Sequence, residues 1–380
     1  MKKKISGLLA LTLLLALAVP ARAESLAVEA GACLLMEKTT GEILYAVNEH
    51  EQLEPASVTK IMTVLLVMEA IDTGALRYED MVTASAYACS MGGSQIWLKE
   101  NEQMSVEEML KAVCVASAND CSVALAEHLA GSAEAFVEKM NQRASELGMA
   151  DTSFMNPTGL PAQGHVTSAY DIALMSRELI LRHPDIRRFT TIWMDSLRNG
   201  EFGLSNTNKL IRFYPGATGL KTGSTDGALY CLSATAERDG MELIAVVLKS
   251  PTSTQRFESA KTLLNYGFAA YALAQAQPPE PLGPIPVELG DAATVTPRLE
   301  GNAAILAAKE KVGAMEVAVE LEERLAAPVE EGQPVGRMTV TSGGEVLAEF
   351  PVVAGNSVAR LTYWQILERC LRMAFMGGGS

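Results

Sequence analysis

The chain has 380 residues, 48% of them hydrophobic and 20% charged, with a formal net charge of −14. Those proportions exclude a largely disordered chain and suit two or more packed domains. The acidic surplus argues against nucleic acid as a partner, since phosphate binding needs clustered cations.

The first residues, MKKKISGLLALTLLLALAVPARA, join a basic start to a short Leu/Ala run and a small-x-small ending, Ala21-Arg22-Ala23. That order reads as a cleaved secretory signal over residues 1–23. Its removal takes four cations and no acidic residue, lowering the formal charge to −18. The stretch AVEAGACLLMEKTTGEILYAVN predicts two strands joined in a hairpin at Thr39-Thr40-Gly41. A helix is expected from Ser57 to Ile71, almost unbroken in its apolar content except for Lys60 near its start. Residues 105–131 read as two helices interrupted at S-A-N-D, with a capping box from Ser105 and Glu108 at the first start and Gly131 as the final stop. A further helix opens at Ser168 and runs to about Leu181. From Gly219 the pattern turns to strands, GLKTGSTDG, ALYCLSATA and MELIAVVLKS, so closely spaced that they must pair antiparallel. A last helix is expected over about Ser253–Tyr271.

Residues 24–274 thus form one domain of helices around an antiparallel sheet, with a mostly helical insertion between its early and late strands. The proline-rich residues 275–286 cannot continue a helix or fill a central strand and read as a linker. Short alternating runs over residues 287–360 predict a small all-β module, a β-sandwich. In residues 361–376, LTYWQILERCLRMAFM, Thr362, Gln365, Glu368, Arg369 and Arg372 form one helical stripe and apolar residues cover the rest. That segment is too short and too polar to span a bilayer but suits a helix lying flat at the membrane surface, a docked helix being the alternative.

The six cysteines are scattered, and Cys114 and Cys121, if on one continuous helix, would be about 10 Å apart, beyond disulfide reach. Four histidines without an HExxH or CxxC pattern argue against a metal site and suit structural roles.

Three short motifs carry chemistry. Ser57 and Lys60 share a face at i, i+3, where a lysine whose charge is disfavoured by apolar surroundings or a nearby cation can take the serine proton. Alone, the pair is equally a helix start with a lysine snorkelling to solvent. Ser117-Ala118-Asn119 falls at an interhelical break, where side chains can be aimed into a cleft or can merely cap the next helix. Lys221-Thr222-Gly223 places a cation, a hydroxyl and an open backbone on a strand that could bind an extended peptide ending in a carboxylate.

Together and in this order, S-x-x-K, S-x-N and K-T-G resemble the signature shared by serine β-lactamases and penicillin-binding proteins. The segments TGEILY, FMNPTGL, HVTSAYDIALMSREL and QRFESAKTLLNYGF extend the likeness to the low-molecular-mass penicillin-binding proteins that act as serine-type D-Ala-D-Ala carboxypeptidases. The resemblance implies a mixed α/β (α+β) fold of the β-lactamase/transpeptidase type, followed by the β module and the amphipathic tail. It makes Ser57 the acylated nucleophile and Lys60 its general base. Ser117 would relay a proton to the departing amine, Asn119 would hold the substrate amide and the Lys60 side chain, and Lys221 would supply positive potential beside Ser117. Thr222 and Arg256 would meet the terminal carboxylate, and the backbone N–H groups of Ser57 and Ser224 would form the oxyanion hole, with Gly223 keeping the strand open. Some relatives carry histidine where Ser224 stands.

The implied substrate is a peptidoglycan stem pentapeptide, the implied inhibitors are β-lactams, and no cofactor is implied. The implied location is the outer face of the cytoplasmic membrane. Rival readings are a β-lactamase, for which none of Glu127, Glu134, Glu138, Glu146, Glu178 or Glu201 lies in the deacylating loop pattern, a D,D-transpeptidase or endopeptidase, and a scaffold with a spent site.

Overall fold

A computed structural model of the protein describes residues 26–376, so the expected signal, residues 1–23, lies outside the described residues. Its centre is a five-stranded antiparallel sheet in the order Ile43–Val47, Ala32–Glu37, Met241–Ser250, Leu229–Arg238, Ala217–Thr225. The N-terminal hairpin therefore joins one side of the three late strands. The K-T-G strand, Ala217–Thr225, takes the opposite edge.

Successive residues of a strand face opposite sides, and both sides of this sheet are covered. Leu34, Met36, Ile244, Val246 and Leu248 enter one core together with the helices that lie between the early and late strands. Cys33, Leu35, Leu243, Ala245 and Val247 enter a second core against Phe257, Leu263, Leu264 and Phe268 of the helix Ser253–Ala270. This is why those strands read as near-continuous apolar runs and not as alternations.

The helix Lys60–Asp72 is buried on nearly all sides, from Lys60 through Met68 with the exception of Leu66. Around it pack the helices Val106–Val115, Asn119–Ala130, Ala133–Glu146 and Ala169–Arg182. The Ser105/Glu108 capping box is formed, Gly131 ends the helix Asn119–Ala130 in the left-handed region at φ +86°, and Ser168 caps the helix Ala169–Arg182. One expectation is corrected: Ser57 is not in the α-helix. Residues Ala56–Thr59 form a 3₁₀ turn, and the α-helix begins at Lys60.

Beyond the sheet, Tyr271–Gln275 already pairs with Ala304–Ala308, so a strand next to the β module precedes the proline-rich stretch. The module itself has a four-stranded sheet in the order Pro297–Leu299, Glu345–Ala354, Pro334–Ser342, Met315–Leu321, and a three-stranded sheet around Ile285–Glu288. Val295, Val335, Met338, Val340 and Val352 fill its core. The terminal helix Tyr363–Met376 leaves Tyr363 and Trp364 more than two-thirds exposed, and Arg369 donates to the Gly290 carbonyl at 3.2 Å. Among the described residues no helix is long and apolar enough to cross a membrane, and all described cysteines are free thiols.

Candidate active site

Lys60 and Thr63 at the apolar helix start bond directly to the loop Phe154–Leu160, and Thr59 bonds to His165, which accepts from Met155 N of the same loop. Thr59 Oγ1 bonds His165 Nε2 at 2.8 Å, Lys60 Nζ donates to the Thr158 carbonyl at 2.6 Å, and Thr63 Oγ1 donates to the Pro157 carbonyl at 2.7 Å. The loop is knotted by Asn156, whose Oδ1 accepts from Thr158 N, Thr158 Oγ1 and Gly159 N. Burial lowers the His165 pKa to about 4. The ring is therefore neutral, accepting from Met155 N through Nδ1 and leaving Nε2–H to donate to Thr59.

Lys60 Nζ lies 2.9 Å from Ser57 Oγ. The lysine is fully enclosed, and burial first, then the nearby Lys221 charge, pushes its pKa well below the ordinary lysine range, with Asp120 opposing. Across the cleft Lys221 Nζ donates to Ser117 Oγ at 2.9 Å and to the Thr222 carbonyl at 2.9 Å. Burial lowers Lys221 to about 7, with Cys114 opposing that shift and Arg256 adding to it. Ser117 sits at φ +64° in the break between two helices, a strained backbone that turns its hydroxyl toward Lys221.

Gly223 is required by a close approach. A Cβ there would stand 2.8 Å from Ser57 N and 3.0 Å from Ala56 Cβ, so a side chain would push the edge strand off the Ser57 turn. Thr222 Oγ1 donates to Thr207 Oγ1 at 2.7 Å. Arg256 is buried, donates through Nη1 to the Gly223 and Cys231 carbonyls, and packs on Phe257 with its guanidinium carbon 4.6 Å from the ring centre. Its Nε is buried without a partner among the described residues, and burial lowers its pKa to about 10. A cleft of about 320 Å³ is lined by Ser57, Ser117, Thr222, Gly223, Ser224 and Arg256. Ser94, Thr207, Tyr230 and Ser253 complete its wall.

Asn119 departs from its expected contacts. Its Nδ2 donates to the Gly92 carbonyl at 2.7 Å and its N–H to the Ser94 carbonyl at 2.7 Å, while Oδ1 is buried without a partner among the described residues. The second partner of Lys60 is Thr158, not Asn119. Asp120 accepts from Ile96 N, Leu98 N and Cys121 N, which ties the Gly92–Leu98 rim to the S-A-N break.

The chain matches the D-alanyl-D-alanine carboxypeptidase family model over residues 19–252 and the model of the penicillin-binding protein 5 C-terminal domain over residues 279–360. The chain belongs to the D-alanyl-D-alanine carboxypeptidase family. Among curated relatives it is 41% identical over 383 residues to D-alanyl-D-alanine carboxypeptidase DacF of Bacillus subtilis, covering 98% of each chain. It is 33% identical to DacD of Escherichia coli, with 87% of each chain covered. Penicillin-binding protein 5 from Haemophilus influenzae superposes with a TM-score of 0.79 at 30% identity, covering 89% of this chain and 99% of that one. Penicillin-binding protein D2 from Listeria monocytogenes in its ampicillin-bound form superposes with a TM-score of 0.60 at 32% identity, covering 64% and 100%.

For this member of the carboxypeptidase family, sequence reasoning missed Ser94, Thr207, Tyr230 and Ser253 as cleft residues and the Thr158 carbonyl as the second partner of the Lys60 amine. Asn156-Pro157-Thr158-Gly159 is a turn signal in its own right, because an Asn side chain readily bonds the backbone two and three residues on. The other four carry no local signal. They reach the cleft from separate loops and elements.

Proposed function

We propose that this carboxypeptidase removes the terminal D-alanine of a peptidoglycan stem pentapeptide through an acyl-enzyme on Ser57. The observation that carries the reading is the 2.9 Å contact between Ser57 Oγ and an enclosed Lys60 amine that burial and Lys221 disfavour in its charged form. A neutral amine takes the hydroxyl proton as Oγ attacks the carbonyl between the two D-alanines. The N–H groups of Ser57 and Ser224 stabilise the developing oxyanion. Ser117, bonded to Lys221, passes a proton to the amine of the departing D-alanine as the C–N bond breaks, and water then hydrolyses the ester, freeing the tetrapeptide. Asn119 offers its free Oδ1 to the substrate amide, Thr222 and Arg256 face the terminal carboxylate, and Gly223 lets the strand run close to the nucleophile. β-Lactams would acylate the same serine. The ampicillin-bound relative supports that part of the reading.

The chain would act outside the cytoplasm after removal of residues 1–23. The helix Tyr363–Met376 would rest on the outer face of the cytoplasmic membrane, with the β module as a spacer. The exposed Tyr363, Trp364, Leu367 and Leu371 support that attachment, because a helix docked on the module would bury them.

Labelling with fluorescent penicillin, alongside D-alanine release from an acyl-Lys-D-Ala-D-Ala peptide, tests the assignment. Ser57→Ala is expected to abolish both signals. Lys60→Ala should slow labelling by a factor on the order of 10³, from the loss of the general base. Undiminished labelling of Ser57→Ala overturns the reading.

A further inference from the structure

The hydroxyls of the cleft differ in whether their hydrogen is already committed. Thr222 is buried, and its one hydroxyl hydrogen goes to Thr207 Oγ1 at 2.7 Å. A hydroxyl has a single hydrogen to give. While that bond holds, Thr222 therefore offers an anion nothing but lone pairs. Thr207 is half-buried on the cleft wall, and its own hydroxyl hydrogen has no acceptor among the described residues. Accepting from Thr222 polarises the Thr207 O–H and makes it the better donor of the two.

Arg256 is committed in the same way. Its Nη1 donates to the Gly223 and Cys231 carbonyls at 3.1 and 3.2 Å and its Nη2 to Ser253 Oγ at 3.3 Å, while Nε is buried. One N–H, on Nη2, is left for a ligand. The guanidinium thus supplies charge and holds the edge strand more than it offers donors.

The backbone of Thr207 is fixed from both sides by buried amides. Asn206 donates through Nδ2 to the Ile192 carbonyl at 2.7 Å and accepts from Asn208 N at 2.8 Å. Asn208 donates through Nδ2 to the Gly219 carbonyl at 2.8 Å and accepts from Leu210 N at 3.1 Å. Thr207 N itself donates to the Val115 carbonyl at 3.1 Å, two residues before Ser117. A buried polar network whose members are satisfied rigidifies what it surrounds. Here it surrounds one threonine, set between the S-A-N break and the K-T-G strand.

We propose that Thr207 is the hydroxyl donor that binds the carboxylate of the leaving residue, and that Thr222 acts through it as a positioning residue. The inference rests on the proposed function, which puts that carboxylate beside Thr222 and Arg256. The bonds run from Thr222 O–H to Thr207 Oγ1 and from Thr207 O–H to a carboxylate oxygen, with the remaining Arg256 N–H and its charge completing the site. A hydrogen bond to an ionised acceptor is about twice as strong as a neutral one, so the uncommitted Thr207 hydrogen is the one an anion takes. Such a site selects a substrate whose last residue ends in a free carboxylate.

The test uses two thioesters on the intact chain, read by thiol release. One is acyl-Lys-D-Ala joined to thioglycolate, which ends in a carboxylate; the other is its methyl ester, which does not. The wild-type enzyme is expected to prefer the carboxylate form at least tenfold in kcat/KM. Thr207→Val should lower kcat/KM for the carboxylate form about tenfold and leave the methyl ester within about twofold, with Thr207→Ser restoring most of the loss. Thr222→Val removes the support and keeps the donor, so its loss on the carboxylate form should be smaller, about threefold. Turnover of the methyl ester also reports that each variant is folded. A larger loss in Thr222→Val than in Thr207→Val overturns the inference, because the donor is then Thr222. A Thr207→Val enzyme that loses both thioesters alike, or neither, overturns it too. A wild type that takes both thioesters equally removes the carboxylate site and the inference while leaving the Ser57 acyl-enzyme standing; failure on both removes the proposed function as well.

Discussion

Lys60 and Lys221 are enclosed by apolar packing that a charged ammonium resists, and a neighbouring cation adds to the burial in each case, Lys221 for Lys60 and Arg256 for Lys221. The arrangement suits proton transfer and opposes folding. For Lys221 the folded pKa of about 7 lies below the unfolded value, so between the two the unfolded chain binds more protons and stability rises with pH. Replacing this lysine with an apolar residue of similar length therefore removes a liability that is fully present below about pH 7 and fades as pH rises toward the unfolded value. Lys221→Met should abolish D-alanine release yet unfold later at pH 7, by roughly 1–3 kcal/mol, with the gain shrinking as pH approaches 10. Thermal melts of both proteins across that range decide it; a variant less stable than the parent at every pH would mean that the Ser117 and Thr222 bonds outweigh the burial of charge.

At the scale of elements, the Ala56–Thr59 turn that carries Ser57 is positioned by its neighbours on two sides. The edge strand touches it at Gly223 and the Phe154–Leu160 loop touches it at Gly159. Gly159 has φ +81°, and a Cβ there would stand 1.8 Å from the Ala56 carbonyl oxygen, a backbone overlap that no rotamer relieves. Gly159→Ala must shift either the loop that holds the Lys60 amine or the turn that holds Ser57. A loss of about 2 kcal/mol or more in stability and at least a tenfold fall in kcat are expected, read from thermal unfolding and D-alanine release on the same preparation. Wild-type-like values for both would show that the turn is not held in this way. The two glycines differ in how far they could be read beforehand. Gly223 stands inside a recognisable motif, whereas the need for Gly159 arises from a contact between residues more than a hundred positions apart.

For the whole molecule, the sheet separates two cores that share the same strands. The β module and terminal helix follow the helix Ser253–Ala270 in the chain, so the cleft and the helix proposed to rest on the membrane are carried by different parts of the chain. Attachment and catalysis should then be separable. A chain ending at Arg360 is expected to release D-alanine from a soluble peptide at the parent rate while losing most of its cosedimentation with phospholipid vesicles, a change on the order of tenfold or more. Equal sedimentation of the two chains would remove the terminal helix as the anchor.

The periodicities, caps and short motifs of this sequence determined the helices, the antiparallel late strands, the β module and the three polar motifs S-x-x-K, S-x-N and K-T-G, because each depends on residues close in the chain. Ser105, Gly131 and Ser168 act within one helical turn and could be read as caps directly. What tertiary structure alone decided was every contact made across distance: the Thr158 carbonyl at the Lys60 amine, the turn of Asn119 toward Gly92, and the cleft walls from Ser94, Thr207, Tyr230 and Ser253. It also placed Ser57 on a 3₁₀ turn ahead of the helix, because the approach of the edge strand at Gly223 and of the loop at Gly159 constrains that turn from both sides. Local propensity cannot encode such a constraint, since it comes into being only when the sheet edge and the loop have closed around the turn.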